Sequence, residues 1–375
     1  MFTLQHASHH VRAERVGCLL QPGTMQSLDG DVRGFFAARA SGPAVLVGAL
    51  PFDVRRSPLL YQPGRFERGE GPLVFAPPAA AGVPLSAVAR PEPARADYVA
   101  MVDEALRRIG GGNLTKVVLA RSLRLELARP LDLGVVAGRL ARDPAATTFV
   151  VRLPERDGEA PVALVGATPE LLVSRRGDRV FSHPLAGSAA RSGDPSEDQR
   201  AAAALLSSDK DRREHAFVVE EILDLLSPFC LDLRAPDTPE LCSTASMWHF
   251  GTRIEGRLRA DAPTAAGLAA LLHPTPAVGG FPRREALDLI RELEPVDRGY
   301  YAGALGWCEE NGDGDWYVTL RCAQMRGTSL TLHAGAGIVA GSDPASELAE
   351  TAAKFRAMLG ALDLLEEGSA LERAA

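Results

Sequence analysis

Apolar and polar positions along the chain switch between a period of two and a period near four, a pattern that predicts strands interleaved with helices. Short apolar runs set off by Gly and Pro mark strands in residues 1–93, among them PAVLVGALPF at 43–52 and GPLVFAPP at 71–78, before a loop rich in Ala and Pro. From Asp97 the period lengthens into a helix, DYVAMVDEALRRI, which GGGN stops. TKVVLARSLRLEL then alternates as a strand and puts Lys116, Val118 and Ala120 on one face. Further strands are predicted at 147–153, 161–167, 170–176 and 178–183, followed by one long helical stretch over roughly 195–229. SMWHFGTRIEGRL reads as extended, helices follow near 264–272 and 283–293 around the loop HPTPAVGGFP, and two strands flank the turn ENGDGD. TLHAGAGIVAG precedes a last helix, SDPASELAETAAKFRAML, in which Ser342 or Asp343 can cap and Pro344 suits the first turn. With no regular βαβ period and no internal repeat, the class predicted is α+β rather than doubly wound.

Composition narrows the partners. The 375 residues are 46% hydrophobic and 24% charged, as in ordinary globular proteins. A net charge of −7 without a long basic run lacks the electrostatic footprint of a nucleic-acid or anionic-membrane protein, so a small anionic ligand needs a local cationic pocket. The five cysteines are scattered and form no Cys-x-x-Cys, which argues against a disulfide framework or a zinc site and fits a reducing cytoplasm. The N-terminus lacks a basic-then-apolar signal pattern, and no apolar run approaches the ~20 residues of a membrane helix. His6, His9 and His10 read as a mobile polar terminus rather than a metal site.

Among 41 basic residues only Lys116, Lys210 and Lys354 are lysine. Arginine keeps its proton at neutral pH, whereas burial can push a lysine toward neutrality, so the three survivors either mark places where arginine fails or remain by chance. Two acidic pairs share a helical spacing. Asp211 and Glu214 lie on the side of Val218, Ile222 and Leu225, while Glu347, Glu350 and Lys354 share a side opposite Leu348, Ala352, Phe355 and Leu359. Brought together, the pairs would offer hard oxygen ligands suited to Mg²⁺; the alternative is salt bridging, Glu350 to Lys354 above all. Glu170, opening the run ELLVSRR, is either a buried carboxyl with a raised pKa or a solvated one. Arg321, inside YVTLRC, is either a carboxylate clamp or a strand residue facing solvent. Lys210 is read as solvated. Glycine loops at 184–188, 277–280 and 335–341 let backbone amides approach an anion, but none is a Walker loop or a dinucleotide fingerprint, and NGDGD reads as a hairpin turn.

The run of motifs KVVLAR (116–121), GATPELL (166–172), PLAGSAAR (184–191), SDKDRREH (208–215), MWHFGT (247–252), HPTPAVGGFP (273–282), IRELEPVDRGYYAGALGWC (290–308), WYVTLRC (316–322) and HAGAGIVAGSDPASELAETAAKF (333–355) resembles the chorismate-utilizing enzymes, and within them the isochorismate synthases. The resemblance implies one large chorismate-binding domain, a mostly antiparallel sheet core flanked by helices, with 94–368 as its catalytic region and 1–93 as a variable β-rich segment of the same domain. It also implies roles. Lys116 is the general base that activates water for attack at C2 of chorismate, and Glu170 is the acid that protonates the departing C4 hydroxyl. Glu214 and Glu350 resemble direct Mg²⁺ ligands, with Asp211 and Glu347 holding the metal's waters. Tyr301, Arg321 and the backbone of Gly335 resemble the enolpyruvyl-carboxylate site, and Gly187, Ser188, His249, Ala277 and Lys354 line the same cavity. Ala186 stands where aminodeoxychorismate-type enzymes carry lysine, and no Gly-x-Cys-x-Gly is present, so no amidotransferase subunit is expected. Ala277, where salicylate synthases commonly carry Thr, favours isochorismate over salicylate as product, while Tyr301 leaves the lyase branch open. RCAQ and AGAGIVAG lean toward siderophore rather than menaquinone biosynthesis, and a monomer is expected. A non-catalytic binding subunit would require neither Lys116 nor Glu170.

Overall fold

The computed structural model describes residues 1–21, 23–38, 41–73, 87–129, 131–155, 158 and 161–364. The Ala/Pro loop and most of GPLVFAPP lie outside them, as do residues 365–368. Among the described residues, seventeen strands hydrogen-bond into one large sheet, and Leu185–Ala190, Met247–Gly251 and Glu240–Ser243 make a small second sheet. The helices are α1 (Leu28–Ala38), α2 (Arg95–Gly110), α3 (Leu133–Leu140), α4 (Pro195–Ser207), α5 (Asp209–Leu226), α6 (Ala265–Leu272), α7 (Arg283–Leu293) and α8 (Pro344–Ala361).

The spine of the site is the strand Lys116–Leu127. One edge pairs antiparallel with Ser329–Val339 over its whole length, from Val339 opposite Lys116 to Ser329 opposite Glu126. The other edge is shared. The short strand Gly280–Phe281 covers Val117 and Lys116, and Ala87–Glu92 covers Leu127 back to Ser122. Phe2–Gln5 pairs with both His9–Leu19 and Thr147–Leu153, and Val45–Leu50 pairs with Ala304–Glu309, so strands of the first 93 residues are built into the same sheet.

Local chemistry explains the two helices that carry the acidic pairs. Ser208 caps α5 by accepting from the Asp211 N–H, and Glu214, Val218, Ile222 and Leu226 form its buried stripe at four-residue spacing. Asp343 caps α8 by accepting from the Ser346 N–H, with Pro344 in the first turn as expected. Phe355, Met358 and Leu359 of α8 pack into an apolar cluster with Leu330, Leu332 and Ala334 of the adjoining strand.

Four expectations are corrected. The helical stretch over 195–229 is two helices, broken at Ser208, which ends α4 and caps α5. The first 93 residues contain a helix, α1, whose Leu28, Val32 and Phe36 are buried at four-residue spacing although Gly30 and Gly34 lower its intrinsic propensity. The N-terminal histidines are not on a loose end: His9 and His10 lie in a strand, and His10 Nδ1 is 2.9 Å from the Gly71 carbonyl oxygen. Arg321 is not on a strand face, because it sits between Gly314–Val318 and Cys322–Arg326 with φ of 45°, in the left-handed region.

Candidate active site

One pocket, about 920 Å³ counting its open mouth, lies where the two sheets, α5 and α8 converge. Glu170, Gly187, Ser188, Asp211, Glu214, His249, Ala277, Tyr301, Arg321, Gly335, Glu350 and Lys354 all line it. Lys116 and Glu347 stand just behind this wall, each tied to a group in it. Lys116 is 0% exposed, and its Nζ lies 2.9 Å from Glu214 Oε1, as an ion pair rather than an aligned hydrogen bond. Glu347 accepts from Lys210 Nζ at 2.7 Å.

All three lysines therefore gather at one place. The solvated reading of Lys210 is corrected: it lines the pocket, and Glu347, Glu214 and Asp211 raise its pKa against the opposing effect of burial. Lys354 donates to Glu350 Oε1 (2.6 Å) and to the Gly335 carbonyl (2.7 Å), and Ser188 donates to Glu350 Oε1 from the other side (2.9 Å). The Glu350–Lys354 bridge is thus real, but it lies inside the pocket rather than on a solvated face.

Glu170 lines the same pocket. It sits between Val162–Thr168 and Leu171–Arg176, where its N–H donates to Thr168 Oγ1 and its carbonyl accepts from the Val318 N–H. The residue is 2% exposed, and burial pushes its pKa up to about 8, against Lys116, the Leu185 backbone and Arg321, which favour the carboxylate. The solvated reading falls.

The small sheet supplies the next wall. Ser188 pairs opposite His249, and Gly187 has φ of 71° with the Asp211 and Phe250 side chains 3.0 and 3.2 Å from where a Cβ would sit, so only glycine fits. Arg321 Nη2 donates to His249 Nε2 at 2.5 Å. Burial, then Arg321 and Lys354, hold His249 well below its usual pKa, so its imidazole is neutral. Tyr301, buried and with its pKa raised by burial, stacks on His333 at 5.1 Å between ring centroids. Arg298 and His333, which sequence reasoning passed over, also line the pocket. The rarity of lysine was signal enough to find Lys210; nothing local singled out the other two.

The chemistry of the carboxylates bears on a metal. Asp211 and Glu347 have raised pKa values, first from burial, with Glu214 and Glu350 adding like-charge repulsion at Asp211 and Glu350 adding it at Glu347. Carboxylates that repel one another favour an added cation. Among the described residues no three His, Cys, Asp or Glu groups form a closed cage. Mg²⁺ does not require one, since it keeps several waters and takes one or two carboxylates, so the donor set fits a hydrated hard cation.

A family model for chorismate binding enzymes matches residues 77–363. The chain is 45% identical over 346 residues to isochorismate synthase DhbC of Bacillus subtilis (strain 168), covering 90% of this chain and 86% of that protein. It is 47% identical over 346 residues to a Mycobacterium tuberculosis (strain ATCC 25618 / H37Rv) protein, MenF, assigned as an isochorismate synthase, covering 88% and 90%. A crystal structure of DhbC from Bacillus anthracis, assigned as a 2,3-dihydroxybenzoate-specific isochorismate synthase, superposes with a TM-score of 0.90 at 40% identity, covering 97% of this chain and 96% of that one. The mixed α+β architecture expected from the sequence is that of this structure. A described pocket of converging lysines and carboxylates and a family match over most of its length lead to one conclusion: the chain belongs to the chorismate-binding enzyme family.

Proposed function

We propose that this protein is an isochorismate synthase, which adds a hydroxyl at C2 of chorismate and removes the one at C4. The observation that carries the reading is a buried lysine, Lys116, near enough to act electrostatically on a buried carboxyl, Glu170, whose pKa burial raises to about 8. Lys116 takes a proton from water as the water oxygen bonds to C2. The ring double bonds shift, and the C4–O bond breaks as Glu170 gives its proton to the leaving oxygen, which departs as water. Each turnover leaves Lys116 protonated and Glu170 ionised, so one proton must pass back through solvent.

The substrate is a dianion, and its partners follow from charge. Arg321, holding the neutral His249, and Tyr301 beside Gly335 suit the enolpyruvyl carboxylate, while Lys354 and Ser188 fix Glu350. Glu214 and Glu350 would hold Mg²⁺ directly, with Asp211 and Glu347 on its waters. When bound, the ion supplies positive charge that neutralises and orients the ring carboxylate. Gly337 leaves that corner open, because a Cβ there would lie 2.3 Å from Glu214 Oε1. Ala277 and Val278 present apolar groups, so pyruvate elimination gains no extra hydrogen bond and isochorismate is released.

The similarity to DhbC supports a place in 2,3-dihydroxybenzoate siderophore synthesis, with menaquinone synthesis as the other branch. No helix among the described residues is long and apolar enough to cross a membrane, and free cysteines at 18, 230, 242, 308 and 322 support a cytoplasmic site. We read residues 1–93 as part of the catalytic domain and the protein as a monomer. The test is to incubate purified protein with chorismate and Mg²⁺, separate the products by chromatography and assay pyruvate in parallel. Isochorismate in equilibrium with chorismate is expected, with Lys116→Arg inert because charge without basicity does not serve. Stoichiometric pyruvate with salicylate would reject the reading.

A further inference from the structure

The strand that carries Lys116 has a gap along one edge. Gly280–Phe281 covers residues 116–117 and Ala87–Glu92 covers residues 122–127, so among the described residues no strand pairs with residues 118–121 on that side. Backbone groups there are buried and must be satisfied. The Val118 N–H donates to the Gly279 carbonyl. The Val118 carbonyl and the Ala120 N–H are satisfied by a pair of charged side chains.

Arg298 and Glu294 form that pair, with side chains 2% and 5% exposed. Arg298 Nη2 donates to the Val118 carbonyl at 2.7 Å, and Glu294 Oε1 accepts from the Ala120 N–H at 2.7 Å. The two side chains bond each other through Nε to Oε2 (2.8 Å) and Nη2 to Oε1 (2.5 Å). Arg298 also reaches the far wall, where Nη1 donates to the Val278 carbonyl at 2.9 Å, beside Ala277. Its own carbonyl accepts from the Tyr301 N–H, which anchors the turn that presents Tyr301. The guanidinium lies 4.1 Å over the Phe52 ring.

We propose that the Arg298–Glu294 pair is a positioning device: it stands in for the missing strand and sets the spacing between the strand of Lys116, the wall at Ala277–Val278 and Tyr301. The residue types follow from the task. A carbonyl needs a donor and an N–H needs an acceptor. Guanidinium donates along several directions at once, carboxylate only accepts, and their opposite charges let both be buried. A lysine at 298 can satisfy one wall and not the other two points. The inference rests on the reading of Lys116 as base, since only then does this spacing govern the rate.

The experiment compares wild type, Arg298→Lys and Glu294→Gln by steady-state conversion of chorismate, with hydrogen–deuterium exchange of the peptide spanning 117–121. Arg298→Lys is expected to lose tenfold or more in kcat, on the order of the 10²-fold that a displacement near 1 Å can cost, with KM changed by less than about threefold. Exchange of the 117–121 peptide should rise in both variants while peptides from α5 and α8 stay at wild-type rates, a local signature that general destabilisation would not give. Wild-type kcat, within twofold, in folded Arg298→Lys overturns the proposal; if that variant does not fold, Glu294→Gln with wild-type kcat and exchange overturns it instead. Wild type that leaves chorismate unchanged rejects the proposed function, and the exchange readout then still decides whether the pair replaces a strand.

Discussion

In the reaction proposed above, Glu170 gives up a proton at a pH where an ordinary carboxyl has none to give. Burial supplies the difference by disfavouring the ionised form, and a pKa near 8 leaves the group protonated at neutrality. Activity is therefore expected to hold up to neutral pH and to fall as pH rises through about 8, which a pH profile of kcat/KM checks. The same shift acts on stability. An unfolded glutamate ionises near 4.5, so folding above that pH must take up a proton, and the cost grows until about pH 8. Glu170→Gln removes the cost together with the acid. The variant should lose at least ~10²-fold in kcat yet melt higher than wild type, by a margin that widens from pH 5 to pH 8 in a thermal scan.

At the scale of elements, α5 and α8 each bring a carboxylate pair to a pocket where lysines are their cationic partners. Lys116 pairs with Glu214, Lys210 with Glu347 and Lys354 with Glu350. A ligand that binds the folded form alone raises stability by mass action, about 2.7 kcal/mol at a hundredfold excess over Kd. Added Mg²⁺ should therefore raise the melting temperature of wild type. Glu214→Gln and Glu350→Gln should each abolish most of that rise and most turnover while keeping the far-ultraviolet dichroism of the native fold. A full Mg²⁺-induced shift in both variants would remove these helices from metal binding.

Across the whole molecule, the first strands close the structure. Phe2 and Leu4 are buried, and Phe2–Gln5 lies between His9–Leu19 and Thr147–Leu153. Farther along, Phe52 lies under Arg298 and its N–H donates to the Gly299 carbonyl, so the N-terminal quarter supports the turn that presents Tyr301. A chain lacking residues 1–20 would expose the edge of Thr147–Leu153 to other chains. It is expected to aggregate on size-exclusion chromatography, whereas a monodisperse, active product would show that this edge needs no cover.

What the sequence determined by itself was local or chemical in kind. The strand of Lys116 showed in its alternation, the first turn of α8 in Pro344 with Ser342 or Asp343 as its cap, and the acidic pairs in their helical spacing, because each depends on residues only a few positions apart. The scarcity of lysine drew attention to Lys116, Lys210 and Lys354, although Lys210 still read as solvated. Tertiary structure decided the rest. Whether Glu170 is protonated depends on burial by segments far away in the chain, and the Glu350–Lys354 bridge reads as a surface pair until Ser188 and the Gly335 carbonyl close around it. Arg298 and Glu294 carry no periodicity that separates them from an ordinary helix-end salt bridge. Only the gap between two strands paired to one edge turns that i, i+4 pair into a substitute for backbone hydrogen bonds, and a gap in a sheet is a property of which strands meet, which no local pattern encodes.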